Sequence, residues 1–297
     1  MSRTKTLTVK PIGGLGNRMR ALDSAYQLAM EHGFTLQVIW ELNRFLNASF
    51  SSLFLPVDGV QVRETVNKGL YPIRFPEKSP VARSGTRWLA NLLAPQADWC
   101  FYQDDFGAWG DAFRGANPNI QMVDFDDLMI RQFQAIWPTV AQSNTIYLSS
   151  AYRFFPSKVP FSIFRLPADL QLEVDQFVAN WDQVIGVHIR RTDHKKAIRH
   201  SLDDWFIQQM DQQLVQQPNV QFFLSTDDPT VIQTFQNRYG DRLIQRASSF
   251  DRKDPRAIRE ALIDLSLLAR TQRILGSYFS SFSLTASQIG GVELLIA

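Results

Sequence analysis

Sulfur, charge of either sign in excess and long apolar runs are all scarce in this 297-residue chain, and each shortage removes a class of function. Cys100 is the only cysteine, which excludes an internal disulfide and a thiolate zinc cluster. The four histidines are scattered and none has a carboxylate at HExxH spacing, so no histidine-held metal centre is expected. No stretch reaches the ~18–20 apolar residues of a membrane span. The opening MSRTKTLTVKPIGG has basic residues without the apolar run of a signal peptide, so the expectation is a cytoplasmic protein with no integral membrane segment. Lysine and arginine total 31 against 29 aspartates and glutamates, which argues against nucleic acid as the main partner. Internal repeats and low-complexity tracts are absent too.

What the chain does have is an ordinary globular composition, 45% hydrophobic and 20% charged, at a length comfortable for two cores. It opens with a strand, Leu7 to Pro11, broken by Gly13-Gly14-Leu15-Gly16. A helix follows from about Asn17 to Glu31, with Met19, Leu22, Tyr26 and Ala29 on one face, and Leu36 to Trp40 reads as a second buried strand. Strand, glycine turn, helix, strand is how a nucleotide-binding α/β unit begins. From Pro56 to about Pro118 the pattern dissolves and only Arg87 to Leu93 looks helical, so irregular decoration of the first lobe is expected there. Ile146 to Leu148 closes that lobe, and Pro156, Pro160 and Pro167 mark a linker.

The second half alternates regularly. Helices are read at Ala168–Asn180, Leu202–Gln216, Pro229–Tyr239, Pro255–Thr271 and Ser283–Ile289. Strands are read at Val184–Ile189, Val220–Leu224, Leu243–Gln245 and Ile274–Gly276, which predicts a parallel sheet covered on both faces. The expected architecture is α/β, with one Rossmann-like lobe over residues 1–157 and another over 158–297 facing it across a cleft.

Three strand-to-helix junctions carry unusual residues, each where open α/β sheets bind ligands. Gly13 to Asn17 is either a cradle of backbone N–H groups for an anion or a tight turn with positive φ. His188-Ile189-Arg190-Arg191-Thr192-Asp193 sends two arginines off a buried strand, where guanidinium forks suit phosphate. Alternation places His188 and Arg190 on one face and Arg191 on the other, so one arginine can serve a ligand and the other the scaffold. Ser277 to Ser283 offers hydroxyls that can cap the last helix or meet a phosphate. Ser225-Thr226-Asp227-Asp228-Pro229 reads as a capped helix start and only superficially as a metal-binding DxD. Asp264 falls on the apolar face of its helix and so wants a donor, either an internal arginine or the paired N–H groups of guanine.

Taken in order, these segments resemble the fucosyltransferase superfamily that includes the α1,6-fucosyltransferases, the nodulation fucosyltransferases and the protein O-fucosyltransferases. Gly186 to Asp193 is similar to that group's HxRRxD motif, Phe222 to Pro229 to its second motif, and Ile263-Asp264 through Ser281 to its third. Gly13 to Asn17 matches the place of its donor loop, and Trp40 through Phe54 is similar to a first-lobe segment. The resemblance implies a GT-B arrangement and metal-independent, inverting transfer from GDP-fucose, with no cofactor, to a glycan or other hydroxyl acceptor. It implies catalytic positions at Arg190, Arg191 and Asp193, with Arg190 on the β-phosphate. Implied substrate contacts are Gly14, Leu15, Gly16, Asn17, His188, Asp227, Asp264, Ser280 and Ser281. One departure stands out: the α1,6 enzymes carry a lysine and then a glutamate beyond the motif, whereas this chain runs His194-Lys195-Lys196-Ala197-Ile198-Arg199-His200 without a carboxylate. His200, Asp193 and a first-lobe carboxylate are the remaining candidates for a base. Two other classes fit parts of the pattern: a non-catalytic nucleotide-sugar-binding protein, and a nicotinamide-dependent oxidoreductase, against which the glycine run lacks full GxGxxG spacing.

Overall fold

A computed structural model describes residues 5–66, 97–116, 120–191, 195–246 and 254–297. The chain divides into two compact units, the first mainly residues 1–159 and the second mainly 160–297, with residues 52–55 and 121–123 belonging to the second. Each unit is built on one five-stranded sheet in which every pairing is parallel.

In the first unit the strands are β1 (Thr6–Pro11), β2 (Thr35–Leu42), β3 (Val60–Val66), β4 (Trp99–Phe101) and β5 (Thr145–Ser150), in the order β3-β2-β1-β5-β4. Helix α1 (Leu15–His32) begins within the glycine run, two residues earlier than the sequence suggests, because Gly14 itself serves as N-cap. Gly13 makes the turn into it at φ +86, a value that favours glycine. The expected face is buried at Met19, Leu22 and Ala29, whereas Tyr26 is only half-buried. α2 (Phe50–Leu53) is a single turn.

The region read as irregular is more ordered than expected. β3 and β4 lie in it as the two edge strands, and α3 (Gln103–Ala116) follows β4. β3 is charged and largely exposed, β4 is three residues long and α3 contains three glycines, so none announces itself by period. The expected helix at Arg87 to Leu93 lies outside the described residues. α4 (Met122–Val140) buries Phe125, Met129 and Phe133.

The second unit contains α5 (Ala168–Val178), β6 (Val184–Ile189), α6 (Lys195–His200), α7 (Asp203–Gln216), β7 (Gln221–Thr226), α8 (Pro229–Tyr239), β8 (Leu243–Ile244), α9 (Pro255–Leu268), β9 (Arg273–Gly276), α10 (Ser281–Gly290) and β10 (Glu293–Ile296). Its strand order is β10-β9-β6-β7-β8, so β6 is the first strand and sits at the centre. α6 and β10 are additions to the sequence reading.

Alternation along β6 and β7 sorts the core into two layers. Ile185, Val187, Ile189, Phe222 and Leu224 pack with Phe206 and Met210 of α7 and Val231 and Phe235 of α8. The opposite face carries Phe223, which meets Phe177 edge-on and Trp181 at a tilt, and the polar pair His188 and Ser225, held by α10 and α9. Asp228 caps α8 by accepting from Thr230 N at 2.8 Å, and Asp254 caps α9. Among the described residues no helix is long and apolar enough to cross a membrane.

α9 and α10 lie against each other so closely at Gly290 that a Cβ there would stand 2.1 Å from the carbonyl oxygen of Ala269. Replacing Gly290 with Ala forces one backbone away from the other. The expected cost is about 3 kcal/mol, the upper end for overpacking, read as a lowered urea midpoint with unchanged m-value.

Candidate functional site at the carboxyl edges of the two sheets

Strand order fixes where each unit can hold a ligand. In an open parallel sheet the crevice lies beyond the carboxyl ends, where neighbouring connections depart in opposite directions. In the second unit that point falls between β6 and β9, and the chain continues there as His188–Arg191 and Ser277–Ser283. The two segments are laced together: Ser277 N donates to His188 O at 3.1 Å, and Arg190 N donates to Ser277 Oγ at 3.0 Å.

His188 is buried, with Nδ1 2.7 Å from Ser283 Oγ and its ring stacked on Phe282 at 4.9 Å. Burial, and then the nearby Arg190 charge, push its pKa down to about 3, so the ring is neutral at physiological pH. Arg191, on the α7 face, forms a short ion pair with Asp203 and donates from Nη1 to the carbonyl of Arg190 at 3.1 Å. Arg190 lies just beyond the strand, near enough to His188 for its charge to act on that ring. Asp227 accepts from Arg191 N at 2.7 Å, so its carboxylate braces the motif backbone. Asp193 lies outside the described residues.

Ser280 is the N-cap of α10 and accepts from Ser283 N, while Ser281 is that helix's first residue. The capping half of the sequence alternative is thus realised for Ser280. Asp264 is buried on α9 and has an internal arginine: Arg246 Nη1 donates to its Oδ1 at 2.9 Å, and Ser225 Oγ donates to its Oδ2 at 3.1 Å. Desolvation raises its pKa to about 6 in spite of Arg246. His188 and Ser225 are register partners on adjacent strands, so the His188–Ser283 and Ser225–Asp264 contacts stand side by side.

The corresponding point of the first unit falls between β1 and β5, and the glycine run occupies it; Ile12 N donates to Ser150 O at 3.0 Å. Gly14 has no heavy atom within 4 Å of where a Cβ would stand, whereas Leu15 and Gly16 are buried in the first turn of α1. Asn17 turns inward, its Oδ1 accepting from Arg20 Nη1 at 3.2 Å.

Sequence reasoning missed Arg18, which is fully buried. Its Nε donates to Gly13 O at 2.9 Å and its Nη1 to Glu41 O at 2.6 Å, and the guanidinium lies 5.0 Å from the Trp40 ring centre. Desolvation pulls its pKa down to about 10. Two buried arginines in α1, Arg18 and Arg20 on either side of Met19, were visible in the sequence as charges inside an apolar helix. Arg246 gave no such signal, because its partner lies 18 residues further along the chain, on α9. Among the described residues no group of three or more histidine, cysteine or acidic side chains is arranged to hold a metal.

The neutral state of His188 is directly measurable. Its folded pKa lies below the unfolded 6.5, so its contribution to stability is complete above about pH 6.5 and is lost as pH falls towards about 3. In two-dimensional NMR its ring resonances should hold their neutral-form positions from pH 8 to pH 5. Titration with a midpoint near 6.5 would contradict the burial described.

No protein-family model and no curated protein matches the chain. Solved structures do. NodZ α1,6-fucosyltransferase soaked with GDP-fucose is 18% identical, with 96% of this chain and 92% of that one covered and a TM-score of 0.60; NodZ from Bradyrhizobium gives 0.58 at the same identity and coverage. POFUT1 in complex with GDP is 13% identical over 100% of this chain and 99% of that one, with a TM-score of 0.52. A mutant of FUT1 from Arabidopsis thaliana in complex with GDP is 14% identical over 99% of this chain and 70% of that one, with a TM-score of 0.58. Two α/β units, each on a parallel five-stranded sheet, are therefore assembled here in the GT-B fold of these fucosyltransferases.

Proposed function

We propose that this protein is an inverting, metal-independent glycosyltransferase that moves fucose from GDP-fucose to a hydroxyl of a glycan or other acceptor. The observation that carries the reading is the division of labour in the second unit. Arg191 is paired with Asp203, while Arg190, at the switch point of the sheet, stands near a buried, neutral histidine. A neutral His188 adds no competing charge to the arginine, and a guanidinium fork is suited to a diphosphate. The fold likeness to proteins solved with GDP-fucose or GDP supports the same choice of donor.

In this reading residues 158–297 bind the nucleotide sugar, and residues 1–157 supply the acceptor side and the Gly14–Asn17 loop. The acceptor hydroxyl attacks the anomeric carbon on the face opposite the leaving group. The bond from that carbon to the β-phosphate oxygen breaks, and GDP departs with the electron pair. The hydroxyl proton passes to a base, for which His200, Asp193 and a carboxylate of the first unit are the candidates. Charge developing on the diphosphate is met by Arg190 and by backbone N–H groups at the start of α10, with Ser280 and Ser281 beside them. Asp264 accepts from the ring N–H and exocyclic amine of guanine.

A thermal-shift panel tests the donor class, since a bound ligand stabilises by mass action. GDP should raise the melting temperature and UDP, ADP and NAD should not; a rise with NAD alone points to the oxidoreductase. Arg190→Ala should remove about 3 kcal/mol of transition-state stabilisation, two to three decades in rate, and Arg190→Lys should recover little of it. Wild-type turnover by Arg190→Lys would contradict the assignment, and GDP binding without transfer or donor hydrolysis would favour a binding protein. Turnover is also expected to survive excess EDTA. Loss on chelation with recovery on manganese would bring Asp227 and Asp228 back as ligands.

A further inference from the structure

Asp264 is a costly residue to place where it stands. Its side chain and that of Arg246 are each only 10% exposed, and desolvation alone pushes the carboxyl toward its neutral form. Among the described residues the charged groups around it are few. Glu260 lies one turn earlier on α9, Arg246 follows β8, and Glu173 on α5 takes the other arm of Arg246 in a short ion pair. β7 presents Ser225, β6 presents neutral His188, and α10 contains no charged residue. Among the described residues Arg246 is thus the single cation in contact with Asp264, and it is itself fixed at three points: Asp264 Oδ1, Glu173 and the Glu260 carbonyl at 3.4 Å.

An ionised carboxylate has about four acceptor positions. Arg246 occupies one on Oδ1 and Ser225 one on Oδ2, which leaves one on each oxygen. Two acceptors side by side match a base edge that presents two adjacent N–H donors. A protonated carboxyl cannot do this, because one oxygen then carries a donor of its own.

We propose that Arg246 is the positioning residue for base recognition: its fork orients Asp264 and holds it ionised as a double acceptor for the nucleobase. The inference rests on the reading of Asp264 given above. Arg246 touches neither base nor sugar and acts only through the carboxylate.

The test is calorimetric titration of the whole protein with GDP and with IDP, which lacks the exocyclic amine, from pH 5.5 to 8.5. In wild type, GDP affinity should weaken as pH falls through about 6, because proton uptake by Asp264 removes an acceptor. Arg246→Met should move that midpoint up, so that at pH 7 GDP binds about tenfold more weakly than to wild type, while at pH 8.5 the gap closes to about threefold. Arg246→Lys retains the charge and should keep the wild-type midpoint. Arg246→Gln serves as the neutral variant if the methionine protein does not fold, and it should follow the methionine pattern. A merely structural role predicts a lower melting temperature with an unshifted pH profile, and that result in Met or Gln overturns the proposal. Asp264→Asn separates the two levels of the reading. It should lose about 30-fold or more in GDP affinity and less in IDP affinity. If Asp264→Asn binds GDP like wild type, the assignment of Asp264 itself is wrong. If Asp264→Asn loses GDP and the Arg246 variants keep the wild-type profile, only the role of Arg246 fails.

Discussion

Every strand pairing in both sheets is parallel, and that one constraint decides where chemistry can sit. A parallel sheet sends all its strand-to-helix turns to a single edge, and the helices that follow point their N-terminal N–H groups at that edge. Hydrophobic strands can fill the body of such a sheet without regard to function. The last residue or two of each strand cannot, because they emerge among unpaired amides. In the second unit His188, Ser225 and Gly276 stand level at that edge, and the helix residues facing them are Ser283 and Asp264.

The same constraint explains how charge is distributed in the first unit. Three arginines are almost wholly inside it. Arg20 pairs with Asp126, and Arg153 donates to Asp23 at 2.8 Å. Arg18 has no ion pair among the described residues and rests on the carbonyl of Gly13 in the turn after β1, on the carbonyl of Glu41 near the end of β2 and on the Trp40 ring. Carbonyl oxygens left over where parallel strands stop are natural acceptors for a guanidinium. Arg18 therefore stitches the two strand ends together at the point where the glycine turn begins. Lys10 and Glu41, joined at 2.6 Å, extend the stitch between the same two strands.

Legibility in the sequence followed how local each determinant was. β6 and α8 run from Val184 to Ile189 and from Pro229 to Tyr239, the bounds that an apolar run and an Asp-Pro start give directly. α4 was legible in principle from the spacing of Met122, Phe125, Met129 and Phe133, although Pro138 near its end and the irregular stretch before it obscure the signal. What could not be read were partners distant in sequence: Ser283 for His188, 95 residues on, and Arg246 for Asp264. A sequence states that a buried carboxylate needs a donor; only the packing of α9 against the end of β8 says which one.

The close approach of α9 and α10 has a consequence for how variation at this protein would be interpreted. α9 carries Asp264 and α10 carries Ser283, and the two helices are spaced by the absence of a side chain at Gly290. A substitution at position 290, which faces the carbonyl of Ala269, would accordingly displace Asp264 and Ser283 together without touching either. A spacing defect of this kind can be relieved by second substitutions elsewhere along the α9–α10 seam, whereas a lost hydrogen-bonding group at Asp264 or Ser283 can be restored only in place.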